Sequence, residues 1–177
     1  MQDLTDYARK NGITLKKEGP CQFCGANVTH GVFECLKNVH HIEKVLNFND
    51  PASHVTRFLS VDAMALQHCE IHGPWNNHIH LTRLYLILEK NVEWSYSKTP
   101  QLSNIINHYK KDKTEVLAPP PLTQRGKLTT SDLLKANTPE ECIVLVKHWA
   151  RDVYGSFKDH HTLVSSIGEI FIEKYYS

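Results

Sequence analysis

The sequence predicts an all-α protein, and three observations carry that prediction. Apolar residues recur at intervals of three and four along most of the 177-residue chain, no run alternates apolar and polar for more than a few positions, and three stretches open on a capping residue followed by proline. The expected architecture is a helical bundle of five or six helices with a small zinc-binding C-x-x-C loop near the N-terminus.

A short amphipathic stretch around Leu4, Tyr7 and Ala8 ends at Asn11-Gly12, and Lys16 to Pro20 forms the first turn-rich break. Residues 31–47 set Val32, Cys35, Leu36, Val39, Ile42, Val45 and Leu46 at helical spacing. Asp50-Pro51 supplies an N-cap and an N1 proline for a helix through Val55, Phe58, Leu59, Val61, Ala65 and Leu66 to Cys69, closed by Gly73-Pro74. Residues 77–90 are apolar on most sides, which predicts a helix at the centre of the bundle. Thr99-Pro100 starts another, with Leu102, Ile105, Ile106 and Tyr109 facing inward.

Ala118-Pro119-Pro120-Pro121 is the strongest linker signal, because proline removes donors and favours an extended backbone. It divides residues 1–117, the loop and central helices, from residues 129–177, helices expected to pack on the same core, with 118–128 as connector. Thr129 to Asp132 caps a short helix, and Thr138-Pro139-Glu140-Glu141 is a capping box with proline at N1. The helix it opens carries a narrow apolar seam of Cys142, Val146, Trp149, Val153 and Phe157, and a last helix follows His160 with Val164, Ile167 and Phe171 on one side.

Hydrophobic residues make up 41% and charged residues 22%, so the chain belongs with globular proteins. A net charge of +1 provides no global field for nucleic acid or an anionic membrane. No apolar run reaches 18 residues and the opening Met1-Gln2-Asp3-Leu4 is not a signal region, so the expected location is cytoplasmic, with no membrane partner. No glycine-rich phosphate loop, G-x-S-x-G elbow or H-E-x-x-H pair occurs. The run Lys110-Lys111-Asp112-Lys113 is short and interrupted by acid, the mark of a solvated helix end.

Against this ordinary background stand five cysteines and twelve histidines, the latter about three times average usage. An odd number of thiols in a chain without an export signal argues for metal binding over a disulfide framework. Cys21 and Cys24 form a C-x-x-C-G turn that can grip one face of a tetrahedral zinc ion, and Cys35 on the next helix is the natural third ligand. His30, His40, His41 and His68 are all competent as the fourth, and spacing does not choose among them. Cys69 and Cys142 sit on apolar seams and read as buried hydrophobes. His78 and His80 form an H-x-H, but on a helix the two point apart. His40 and His41 fit a solvated face.

Asp62, His68 and His80 interrupt otherwise apolar helices, and a buried polar group needs a partner. The order C-x-x-C-G, a third cysteine, V-D-A-x-x-x-Q-H, H-L-x-x-L and W-A-x-x-V leading into His-His resembles an uncharacterised bacterial family classed as a domain of unknown function. The residues that carry it are Cys21, Cys24, Gly25, Cys35, Val61, Asp62, Gln67, His68, His80, Leu81, Trp149, Ala150, Val153, His160 and His161. Arg57, Cys69 and Tyr154 depart from the family, which often has His, Pro and Trp at these positions. The resemblance implies a shared fold and one spatial cluster of Asp62, His68, His80 and His161.

Three functions follow, in order of preference. The first is a zinc-stabilised binding or regulatory module with Cys21, Cys24, Cys35 and His68 as ligands and a protein or small-molecule partner. The second is a metal-dependent hydrolase with Asp62, His80 and His161 as catalytic residues beside the metal. The third is a nucleic-acid-associated protein, against which the neutral charge counts.

Overall fold

The computed structural model describes residues 4–47, 49–112 and 117–176, which leaves Lys113 of the basic run outside the described residues. Among the described residues seven α-helices follow one another, slightly above the five or six expected: α1 (Leu4–Lys10), α2 (Gly31–Val45), α3 (Pro51–Gln67), α4 (Pro74–Leu88), α5 (Lys98–Asp112), α6 (Pro139–Ser156) and α7 (His161–Tyr176). Among the described residues there is no strand, only an isolated bridge between Gly19 and His30 that closes the base of the cysteine loop. No described helix is long and apolar enough to cross a membrane.

Local chemistry sets most of the boundaries. The Asp50 carboxylate accepts from the Ser53 backbone N–H at 3.2 Å, and Pro51 occupies the first turn of α3. Thr138 and Glu141 cap α6 reciprocally, each side chain accepting from the other's backbone N–H. Two boundaries depart from the sequence reading. α3 stops at Gln67, short of Cys69, because His68 leaves the helical conformation (φ −124°, ψ 36°). The chain then turns through a 3₁₀ segment at Cys69–Ile71, and Gly73-Pro74 opens α4 as N-cap and N1 where it was expected to close α3. The short helix after Thr129 is likewise a 3₁₀ turn at Asp132–Lys135, held by the Thr129 N–H donating to Asp132.

α3 packs most extensively on α6 and α4, and α4 in turn on α7, α5 and α6. From Leu81 to Leu88 every residue of α4 is buried, as its all-round apolar sequence requires. Trp149, Phe157 and Phe171 are the largest fully buried side chains, and one continuous apolar cluster joins the cysteine loop to α7. Cys69 and Cys142 are buried free thiols. Of the connector prolines, Pro119 and Pro121 are exposed, yet Arg125 four residues on is buried.

α4 and α7 approach closely at Gly168, where an added Cβ would lie 2.6 Å from Cδ1 and Cε1 of the Tyr85 ring. Gly168→Ala should therefore destabilise the fold by about 1–3 kcal/mol through forced displacement of that ring. Urea unfolding would register this as a lower midpoint at unchanged slope.

Candidate metal centre

The loop Cys21-Gln22-Phe23-Cys24-Gly25 folds back on itself through Gly25 N–H to Cys21 O (2.9 Å) and Cys21 N–H to Ala26 O (3.0 Å). Gly25 takes φ 71°, a left-handed conformation natural to glycine, which brings both thiols to the same side of the turn. Cys35 reaches them from the second turn of α2. His68 arrives from the end of α3, and its departure from helical geometry aims the ring at the sulfurs. The ligand atoms of Cys21, Cys24, Cys35 and His68 all lie within 4.8 Å of one another, and each residue is buried. This is a group that could hold a metal ion.

The imidazole is preset for the task. Its Nδ1 lies 2.7 Å from the Met64 carbonyl, which can only accept, so Nδ1 carries the proton and the Nε2 lone pair faces Cys21 Sγ at 3.4 Å. Cys24 and Cys35 sulfurs are 3.7 Å apart. The Cys24 and Cys35 thiols hydrogen-bond to Cys21 and hold it well below the usual thiol range. The Cys21 thiolate in turn pushes Cys24 up, and Cys35 up to about 12. Burial and mutual repulsion oppose three adjacent thiolates, and a positive charge among them relieves both.

Residues distant in sequence close the site. Arg125 is 5% exposed and donates to Phe23 O inside the cysteine loop (3.0 Å), to Gln67 O (3.3 Å) and to both carboxylate oxygens of Glu70. Gln67, beside His68, donates to Arg125 O (2.9 Å) and Leu128 O (2.8 Å) and accepts from Trp149 Nε1 (3.0 Å). Thr130, fully buried, lies beside Cys35 with its hydroxyl lacking a hydrogen-bond partner and able to donate to a thiolate there. Neither Arg125 nor Thr130 stood out in the sequence. A buried arginine just after a proline run is the one local signal that could have flagged the first.

The hydrolytic cluster expected from Asp62, His68, His80 and His161 does not meet at one point. Among the described residues the only group of three or more metal-ligating side chains is the Cys₃His set. Asp62 and His80 do pair, His80 Nδ1 lying 2.7 Å from Asp62 Oδ1, but Arg83 clamps the same carboxylate through Nε (2.8 Å) and its terminal nitrogen. His161 lies elsewhere, stacked on Tyr154 at 4.0 Å and bonded to the Tyr154 carbonyl at 3.0 Å. Helix periodicity placed His80 inward, and the family resemblance implied that it meets Asp62, His68 and His161 at one centre; neither fixes where the side chains point. Of the other histidines, His40 pairs with Glu43 on the surface, His41 bonds to Ala136 O (2.8 Å), and His30 is the exposed N-cap residue of α2. His78 is buried and stacks on Trp75, apart from the His80 pairing.

Sequence comparison adds a family and little else. The profile of a family of unknown function (DUF5946) matches residues 19–158, a span holding all four clustered residues together with Asp62, His80, Arg125, Thr130 and Trp149. No curated protein and no solved structure matches the chain.

Gln67→Leu should fill the same space while orphaning the Trp149 N–H and two backbone carbonyls. A loss of about 1–3 kcal/mol for each group stranded in the core is expected. Chemical unfolding followed by Trp fluorescence would measure it, and a melt like the parent's would refute the role given to this carboxamide.

Proposed function

We propose that this chain, which belongs to the DUF5946 family, is a cytoplasmic zinc-stabilised binding or regulatory module. The observation that carries the reading is the spacing of the donor atoms. Tetrahedral zinc with bonds of about 2.3 Å to sulfur and about 2.0–2.1 Å to nitrogen sets sulfurs roughly 3.8 Å apart and sulfur from nitrogen roughly 3.6 Å. Two of the six separations here match, 3.7 Å between Cys24 and Cys35 and 3.4 Å between Cys21 and His68, and all six lie within 4.8 Å. Mixed thiolate and imidazole donors favour zinc among the available divalent metals.

Three thiolates, one imidazole and a divalent ion sum to a single negative charge, and the buried Arg125 guanidinium is placed to offset it. The Thr130 hydroxyl would then have a thiolate to bond. Four protein ligands leave no position for water, so the metal's part is to tie the cysteine loop, α2 and α3 together. What the module binds is read on the surface this loop shapes. A cleft of about 510 Å³ at the start of α2 is lined by Thr29, His30, Phe33, Glu34, Lys37 and Asn38. Such a lining suits a polar small molecule or a peptide carbonyl.

Protein purified without added metal should contain one zinc per chain by mass spectrometry. Cys24→Ser should lose zinc and melting temperature together, and a zinc-free variant melting like the parent would refute a structural metal. Protons compete for all four ligands, so zinc affinity should fall as pH is lowered. Thr130→Val keeps the shape but removes the outer hydrogen bond, and a 10- to 100-fold loss of zinc affinity in a chelator competition is expected.

A further inference from the structure

Asp62 is completely buried and its charge is already met by Arg83, which is itself held by the Thr99 hydroxyl (3.2 Å) and stacked over Phe58 at 4.9 Å. The carboxylate of this neutral pair also bonds to His80 Nδ1, at 2.7 Å. A carboxylate accepts there, so the proton sits on Nδ1 and the Nε2 lone pair of His80 is left free. The side chain of His80 is 15% exposed, and Nε2 is neither bonded within the described residues nor sealed from water. A histidine whose one nitrogen is pinned by a buried carboxylate and whose other is presented outward is the arrangement that prepares imidazole to ligate metal.

A second imidazole stands next to it. His72 follows the 3₁₀ turn at Cys69–Ile71, and its ring centre lies 5.8 Å from that of His80 with the planes inclined at 67°. Its nitrogens too have no hydrogen-bond partner among the described residues. Two imidazoles sharing one tetrahedral ion keep their ring centres roughly 5 Å apart, close to the 5.8 Å found here.

We propose that His72 and His80 form a second metal site, open to solvent, that takes a divalent transition-metal ion such as zinc, nickel or cobalt, with Asp62 orienting His80 from behind. It differs from the thiolate cluster in kind. Two protein nitrogens leave the remaining positions to water or to a ligand with a donor atom, whereas the thiolate site is closed. It is also the weaker of the two, having half the ligands and no thiolate. The sites share a support, because His68 begins the turn that ends at His72. Losing the thiolate cluster would thus disturb the second site, while losing the second would leave the cluster intact.

The test is calorimetric titration of the zinc-containing protein with Ni²⁺, alongside Co²⁺ absorbance. Wild type should take up one additional equivalent, and the cobalt form should show the weak bands of nitrogen and oxygen ligation with no thiolate charge-transfer band. His72→Ala and His80→Ala should each weaken that binding at least tenfold while metal analysis still finds the original zinc. Should His80→Ala fail to fold because Asp62 loses its partner, His72→Ala decides alone, since His72 has no hydrogen bond to lose. No additional equivalent, or an additional equivalent unaffected by His72→Ala, overturns the proposal. The outcome is separable from that for the cysteines: zinc retained by Cys24→Ser would refute the thiolate reading and leave the histidine result standing.

Discussion

The structure depends on two adjacent residues at the end of α3, Gln67 and His68, both completely buried. The first spends its carboxamide on the connector and on Trp149, and the second turns its ring into the thiols. One peptide unit therefore joins the metal cluster, the segment after the prolines and the central tryptophan of α6. Such a junction is costly to disturb because its buried polar side-chain atoms are bonded within the protein and have no water to replace a lost partner. It also explains why α3 ends where it does: continuing the helix by two residues would swing His68 away from the sulfurs.

Electrostatics around this junction follow one pattern twice. At the thiols, positive charge comes from Arg125, brought in from far along the chain and tied to Glu70. At the α3–α4 contact it comes from Arg83, clamped on Asp62. In each case arginine's planar donors satisfy several acceptors at once, which lysine could not do from a buried position. His72 stands near both networks, and burial together with the neighbouring His80 and His68 pushes its imidazole down to about 4, so it is neutral at physiological pH. The local 3₁₀ turn thus connects a charged, closed centre to a neutral, half-open one.

Much of this was legible in the sequence, for reasons that can be given residue by residue. Capping chemistry at Asp50 and Thr138 is local, so the starts of α3 and α6 could be read from a few residues. The cysteine loop was legible because a chelating turn needs two residues between its cysteines and a glycine after them. His68 was harder, since its role depends on a bend that breaks the helical period, and an apolar Cys69 disguised the break. The convergence of Asp62, His68, His80 and His161 was not legible either: a shared motif order and helical periodicity report which residues recur and which face inward, not which side chains meet. Arg125 and Thr130 act across 102 residues in the contact to Phe23 and nearly as many in that to Cys35, and no periodic signal carries information over such distances. His72, in the turn between two helices, gave no pattern at all.

The closing of the cysteine cluster by Arg125 has a consequence in time. A chain leaves the ribosome in order, at about 5–20 residues per second. The four clustered residues all lie at or before position 68, whereas Arg125 comes 58 positions after Gln67. Roughly 3 to 12 s thus pass between emergence of the last thiol-facing ligand and arrival of the guanidinium that covers the loop. During synthesis the sulfurs meet their surroundings before that guanidinium is present, so any ion they take up would be taken up then. In the finished protein Arg125 is buried and bonded to Phe23 O inside the cysteine loop, so an ion held by these four ligands would exchange more slowly than one meeting them during synthesis.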